Sequence, residues 1–218
     1  MTSSGDDRAT NLRMTIADRL HYRRMAVSDT ARIVSAHKGT GLHQCACAMA
    51  IPMLYAHWEG FAKEALRLYV EFLASIEVAQ RDVDANLLAY SWSSSFRKLS
   101  SGLTHEKKVE LIERFFGSLT EDLAFERREC DIDTKSNLFF NVLADLARFL
   151  CLDVSSMQDQ REMLDSLVNR RNTIAHGGHG QRIDQSDIED YRHLVLNLME
   201  SLESVLSVAV ETASYRRT

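Results

Sequence analysis

The sequence predicts an all-α fold, and three observations support that prediction. The 218-residue chain contains one proline and nine glycines, so it lacks the frequent turns that a many-stranded β-fold requires. Hydrophobic residues make up 45% of the chain and charged residues 26%, the balance of a globular domain with a substantial core. Apolar residues recur at helical spacing over long stretches. We expect a bundle of long antiparallel helices that forms a single domain over residues 10–213.

The first long helix is predicted from about Thr10 to His37, where apolar residues return every third or fourth position. Residues 1–9 lack this pattern and are expected to be disordered. The polar side of the helix carries several arginines, which indicate either a solvated face or part of a nucleic-acid-binding surface. These residues are Arg13, Arg19, Arg23, Arg24 and Arg32.

The second helix is predicted over about residues 42–79 and is so apolar that it should lie at the centre of the bundle. Pro52 lies inside it and predicts a kink or a break. Glu59 falls on the apolar side, where an unpaired carboxylate would be costly. We therefore expect Glu59 to be the partner of a buried arginine.

Residues 81–134 are predicted to form an insertion. Its first part, about 81–102, is expected to be loop with a short helix at most, and a regular helix is predicted over about 106–116. Its end, residues 120–134, is rich in acidic and basic side chains and is expected to form a solvated flap. This end contains neither a histidine nor a repeated ligand spacing, so no metal site is predicted.

The C-terminal part is predicted to contain three further helices. They begin near Ser136, near Asp159 and at a capping box formed by residues 186–189. Residues 214–218 are expected to fray. The four cysteines do not form a disulfide framework in a chain of this length, so we interpret them as buried apolar residues.

Charge and hydropathy narrow the function further. The formal net charge of −5 argues against a generally basic coat for nucleic acid but allows a local basic cluster. Such a cluster occurs near the end of the chain, at Arg170, Arg171, His176, His179 and Arg182. No apolar run reaches the ~20 residues that span a bilayer, and the first residues lack the basic flank and apolar core of a secretion signal. We expect a cytoplasmic protein that does not bind membranes.

The most informative stretch is residues 169–178. The apolar register of residues 163–168 continues into Arg171 and Ala175, which places an arginine on the buried side of the helix. Burying a guanidinium is costly unless it meets a carboxylate or a phosphate. Asn172 and His176 form an i,i+4 pair, so the amide is expected to fix the imidazole tautomer by a hydrogen bond. His176 lies five residues after Arg171, so one helix does not direct both side chains at one atom.

This Arg-x4-His pattern, with asparagine after the arginine and Ile-Ala-His-Gly at its end, resembles the catalytic signature of HEPN domains. Two other blocks, residues 54–63 and residues 136–146, resemble the MAE-type HEPN-like nuclease branch. The first of them contains His57, Glu59 and the aromatic residues Trp58 and Phe61, for which core packing is favoured over base stacking. The resemblance covers roughly residues 50–180 and implies a HEPN-like helical bundle.

The resemblance implies a metal-independent endoribonuclease without a cofactor, used as a toxin or a phage-defence effector. RNA would be cleaved by attack of its 2′-hydroxyl, with Arg171 gripping the phosphate and His176 transferring the proton. Asn172 completes the catalytic set. Supporting or substrate-binding roles are expected for Arg170, Glu59, His57 and His179.

One histidine does not easily perform both proton transfers, so we predict a homodimer with a composite active site, in which Arg171 of one chain approaches His176 of the other. A cognate antitoxin or a neighbouring defence protein is a further expected partner. The alternative is a non-catalytic HEPN module that binds RNA, a nucleotide or a partner protein. Under that interpretation Arg171 pairs with Glu59 to fix helix packing, and His176 approaches the last carbonyls of its helix.

Overall fold

The computed structural model describes residues 3–100, 102–125, 132–177 and 182–217. All regular structure in these ranges is helical, which confirms the predicted all-α class. Two 3-10 turns, Gln80–Asp82 and Ser155–Gln160, accompany the α-helices. The α-helices are α1 (Ser3–Ala36), α2 (His43–Ser75), α3 (Ala85–Ser91), α4 (Ser93–Ser100), α5 (His105–Ser118), α6 (Phe140–Phe149), α7 (Arg161–Ala175) and α8 (Gln185–Thr212).

Helix α2 is the centre of the bundle, because it packs against α1, α7 and α8. It contributes four of the largest fully buried side chains, Tyr55, Trp58, Phe61 and Tyr69. Burial of a large apolar side chain stabilises the fold by about 1.5–3 kcal/mol, so α2 supplies much of the driving force for folding. These contacts also confirm the predicted core role of Trp58 and Phe61.

Pro52 does not break α2, so the predicted break is wrong: the helix runs from His43 to Ser75 with the proline inside it. Ile51 and Leu54, on either side of the proline, are both fully buried. Packing of the flanking turns against the neighbouring helices therefore outweighs the loss of one backbone hydrogen bond.

The N-terminus is more ordered than the sequence pattern indicates. Helix α1 begins at Ser3 rather than near Thr10, so the expected disorder is wrong for residues 3–9. The side chain of Arg8 donates a hydrogen bond to the carbonyl oxygen of Ser75 at the end of α2. Leu12, one turn further along α1, is buried. A long-range contact therefore extends the helix beyond the part that its own apolar pattern predicts.

The C-terminal tail is also anchored, so the predicted fraying is wrong for residues 214–217. Tyr215 is buried and meets the ring of Phe72 edge to face, with the ring centroids 6.4 Å apart. The backbone N–H of Arg217 donates to the carbonyl of Asp82 over 2.8 Å. The tail thus ties the insertion to the helical bundle.

The insertion is more helical than predicted. Helices α3 and α4 replace the expected loop between residues 85 and 100, whereas the helix predicted over 106–116 is confirmed as α5. Trp92, at the junction of α3 and α4, meets Phe115 of α5 edge to face, with the ring centroids 5.1 Å apart. Leu123 and Ile132 lie within the predicted flap of residues 120–134 and are buried, so the prediction of a solvated segment is wrong at these positions. Residues 126–131 of the flap lie outside the described residues.

The N-cap of α8 is Asp184, two residues before Ser186, the N-cap of the predicted capping box. Its capping box uses Asp184 as the N-cap and Asp187 as the third residue, because Asp187 Oδ2 accepts a hydrogen bond from the Asp184 backbone N–H at 2.9 Å. By length and composition, α8 is the helix of the described chain that could cross a membrane. Half of that stretch is buried inside the protein, as in the core helix of a bundle.

The cysteines differ in their surroundings, so their common interpretation as buried apolar residues is wrong. Cys47 is buried, whereas Cys45 is exposed. The Cys151 thiol is half-buried and donates to Asp84 Oδ1 over 3.3 Å. Burial, reinforced by that carboxylate, raises the pKa of Cys151 to about 12. Cys130 lies outside the described residues.

Replacing Tyr215 tests the anchored tail. Tyr215→Ala removes a buried ring and is expected to lower the free energy of unfolding by about 3–5 kcal/mol, measured by urea denaturation. Arg217→Ala is the matched control, because its side chain is exposed and its backbone hydrogen bond survives the substitution. Equal stability of the two variants would restore the interpretation of a frayed tail.

Candidate functional site

Helix α7 positions the residues of the candidate site. Its side chains Leu164, Leu167 and Val168 are fully buried, and Arg171 continues their stripe as a half-buried residue. The predicted burial of Ala175 is wrong, because Ala175 and His176 are both exposed. The last turn of α7 therefore extends past the core, while Arg171 lies at the boundary between core and solvent.

The guanidinium of Arg171 is held by neutral groups. Its Cζ atom lies 5.0 Å from the centroid of the Tyr55 ring, an arrangement that favours a cation through the ring quadrupole. Its Nη1 atom donates to Oδ1 of Asn137 at 3.1 Å and to Oδ1 of Asn172 at 2.8 Å. Within the described ranges, no carboxylate lies at ion-pair distance from Arg171. The site therefore carries a positive charge that these neighbours do not neutralise.

Tyr55 also fixes the backbone that presents Asn137. Its hydroxyl oxygen accepts a hydrogen bond from the Leu138 N–H at 2.8 Å in a buried position. Burial raises the pKa of Tyr55, so the phenol stays neutral. Lys135 and Ser136, the two residues before Asn137, have φ angles of 51° and 68°. This left-handed conformation costs energy for residues other than glycine. The Tyr55 contact stabilises this turn and thereby positions the Asn137 side chain.

Glu59 does not pair with Arg171 as predicted. One of its carboxylate oxygens lies 3.2 Å from Lys63 Nζ and accepts a hydrogen bond from the Thr134 hydroxyl at 2.7 Å. Lys63 is one turn further along α2 and reaches the carboxylate without crossing to another helix. Glu59 therefore supports the turn that precedes Asn137, and its charge is balanced within α2.

His57 lies on a different side of α2 from the candidate site. It is two residues from Tyr55, which rotates it by about 200° around the helix axis. Burial lowers the pKa of His57, and the nearby charge of Arg23 on α1 lowers it further. Arg23 itself packs on Gly60, where a Cβ atom would lie 2.9 Å from its Nη2 atom. His57 thus belongs to the α1–α2 contact rather than to the surroundings of Arg171.

Arg170 is directed toward α8. Its Cζ atom lies 5.5 Å from the centroid of the Tyr191 ring, and its Nη1 atom lies 3.4 Å from Oδ2 of Asp187. Because consecutive residues of a helix diverge by about 100°, Arg170 and Arg171 serve different faces of α7. The structure therefore does not combine the two arginines into one cluster.

The asparagine and histidine of the motif do not form the predicted side-chain hydrogen bond. Asn172 Oδ1 accepts from Arg171 instead, and the link to His176 is the backbone hydrogen bond from the His176 N–H to the Asn172 carbonyl at 3.1 Å. His176 is the C-cap of α7, and Gly177 follows with φ 70°, as expected for a glycine that ends a helix. His179 lies outside the described residues.

Helical periodicity in the sequence does not indicate the roles of Tyr55, Thr134 and Asn137. Tyr55 and Asn137 both lie in the blocks that carry the family resemblance, which was the available signal. Their contacts with Arg171 join segments 34 or more residues apart, and helical periodicity describes only neighbours along the chain.

Removing the Tyr55 hydroxyl should destabilise the protein. Tyr55→Phe leaves the buried Leu138 N–H without its acceptor, so we expect the free energy of unfolding to fall by about 1–3 kcal/mol in urea denaturation. Tyr22→Phe on the exposed side of α1 makes the same chemical change and should leave stability unaltered. If the Tyr55 variant unfolds at the wild-type urea concentration, the hydrogen bond does not fix the turn.

Comparison with known proteins identifies one family. A family model described as RiboL-PSP-HEPN matches residues 28–208, a span that includes Tyr55, Asn137, Arg171 and His176. No curated protein and no solved structure gives a significant match. The match supports the HEPN resemblance found in the sequence, while the MAE-type branch stays a prediction.

Proposed function

The chain belongs to the RiboL-PSP-HEPN family, and we propose on this basis that it is a metal-independent endoribonuclease. The observation that carries the proposal is the environment of Arg171, a half-buried cation held by neutral groups. Both hydrogen bonds that Arg171 makes to the described residues use Nη1, so within this part of the chain Nε and Nη2 keep their N–H groups for another ligand. A planar pair of such donors matches two oxygens of a phosphate group.

The chemistry follows from the groups at the end of α7. The 2′-oxygen of the substrate attacks the adjacent phosphorus while a base accepts the hydroxyl proton, and the bond to the 5′-oxygen breaks as an acid protonates that oxygen. Arg171 stabilises the charge that develops on the phosphoryl oxygens. His176 transfers protons, since an imidazole acts as general base and general acid and this side chain is exposed to a bound RNA. Asn172 orients Arg171 through its Oδ1 atom.

The proposal includes a homodimer. Arg171 faces Tyr55 and Asn137, whereas His176 lies beyond the core on the C-cap, so one chain leaves the histidine without a described side-chain partner. A two-fold axis near this end of α7 would supply two histidines and bring Arg171 of one chain toward His176 of the other. An uncontrolled ribonuclease damages its own cell, so the proposal extends to a cytoplasmic toxin or phage-defence effector with a cognate antitoxin or neighbouring regulator.

A non-catalytic HEPN module is the second candidate function. Arg171 already joins α7 to α2 and to the turn before α6, a role that packing alone would explain. A protein of this kind would bind RNA, a nucleotide or a partner protein without cleaving RNA. Arg171→Ala would destabilise either protein, whereas only the non-catalytic module would keep its full function on His176→Ala.

The first test is cleavage of single-stranded RNA and of total tRNA by purified protein in EDTA. Wild type is expected to cut and to leave a 2′,3′-cyclic phosphate, and His176→Ala is expected to lose about 10²-fold or more of the rate, within the range for general acid–base groups. His21→Ala, an exposed histidine on α1, is the matched control and should retain full activity. Cleavage by a folded His176→Ala protein at the wild-type rate would exclude a role of His176 in proton transfer.

Dilution tests the composite dimer. Specific activity should fall as the protein is diluted below its dimer dissociation constant, because each site needs two chains, while far-UV circular dichroism stays unchanged. Sedimentation measured over the same concentrations should show the dimer converting to monomer. A monomer with undiminished specific activity would contradict the composite site.

A further inference from the structure

A cavity of about 700 Å³ lies along the face of α7 that points away from Arg171. Three turns of α7 line it from Glu162 to Ile174, and Ile183 closes one side. The volume falls in the range of small-molecule pockets. The lining combines carboxylates, a guanidinium and two isoleucines, so the cavity offers acceptors, donors and an apolar surface to one ligand.

Arg170 supplies the donors of this cavity. It lines the cavity while one face of its guanidinium stacks over Tyr191, and it makes no hydrogen bond to the residues that the structure describes. Asp187 lies 3.4 Å from Nη1 and holds the group in place. Nη1 is buried beside Asp187, so stacking and charge orient the guanidinium, while Nε and Nη2 make no hydrogen bond to the described residues.

Asp165 supplies an acceptor on the other edge of the cavity. Its Oδ1 atom accepts a hydrogen bond from the Phe140 N–H at the start of α6 at 2.9 Å, which fixes the carboxylate. Its Oδ2 atom has no partner among the described side chains. Asp165 and Arg170 are five residues apart, which separates them by about 7.5 Å along the helix axis and about 140° around it. They therefore lie at opposite edges of the cavity, with room for a planar base between them.

This combination fits one nucleobase best. Guanine presents two adjacent acceptors, O6 and N7, which a guanidinium meets with two parallel N–H groups. On its other side, guanine presents the N1–H and N2–H donors, which a carboxylate accepts. Adenine carries an amino donor where guanine has O6, and the pyrimidines lack N7, so each loses part of this match. Ile174 and Ile183 offer apolar surface to the faces of the ring.

We propose that the α7 cavity is a guanine-binding subsite that selects the RNA position at which the chain cuts. The inference rests on the proposed ribonuclease function, since Thr173 at the end of the cavity lies one turn before His176. Asp165 and Arg170 are the specificity-determining residues: they bind the base on one face of α7, while Arg171 and His176 act on a phosphate at a fixed distance along the same RNA strand.

Binding of free nucleosides tests the subsite without requiring catalysis. Guanosine, inosine and adenosine are titrated into the full-length protein and followed by isothermal calorimetry or by NMR shifts of the bound base. Guanosine is expected to bind about tenfold or more tighter than adenosine, with inosine between them because it lacks the 2-amino donor. Equal affinities for the three nucleosides would overturn the proposal.

Asp165→Asn is the sharpest variant. The asparagine keeps an oxygen for the Phe140 N–H but replaces the second acceptor with a donor, so guanosine affinity should fall about tenfold while the melting temperature stays close to wild type. Asp190→Asn, an exposed position on α8, makes the same change outside the cavity and should bind guanosine as wild type does. Unchanged binding by the Asp165 variant would remove that residue from the site.

Sequencing of the cleavage products separates this inference from the proposed function. Wild type should cut at one fixed offset from guanosines, and Asp165→Asn should cut with that preference reduced. Cleavage without any base preference would overturn the subsite and leave the nuclease intact. Selective guanosine binding without cleavage of any RNA would reject the nuclease and keep the cavity as a guanine site.

Discussion

The structure depends on the contact of the Arg171 guanidinium with Tyr55 and Asn137. This contact joins α7 to the central helix and to the turn before α6, segments that lie far apart in the sequence. A cation at the boundary of the core restricts the register of its helix, because sliding α7 would bury the charge or pull it off the ring. The same interaction therefore fixes the packing of α7 and leaves an oriented positive charge beside solvent.

That positive charge persists because α2 balances its own acid. Glu59 pairs with Lys63 one turn along the same helix and accepts the Thr134 hydroxyl. If the Glu59 carboxylate paired with Arg171 instead, the ion pair would be neutral and the guanidinium would no longer be available to a phosphate. A local ion pair on α2 thus leaves Arg171 available for an anionic ligand, while Glu59 still helps to hold the turn that carries Asn137.

Much of the fold could be predicted from the sequence, because the apolar residues of a helix recur at a regular spacing along the chain. This periodicity predicts the central position of α2, helix α5 and the inward direction of Arg171. The wrong predictions depend on distant contacts: Arg8 with the end of α2, Tyr215 with Phe72, and Arg171 with Asn137 instead of Glu59. Apolar spacing shows which face is buried, but it does not identify the group that meets a side chain there.

The adjacent arginines show how one helix serves two purposes. A rotation of about 100° directs Arg171 toward Tyr55 of α2 and Arg170 toward α8, where Tyr191 and Asp187 hold it. Each guanidinium lies over a tyrosine ring from a different helix, so each is oriented without using all of its N–H donors. The two faces also share one rigid element, so a base on the Arg170 side would be placed at a fixed distance from a phosphate on the Arg171 side. Substrate selection and phosphate binding would then be coupled through the backbone of α7 with no conformational change.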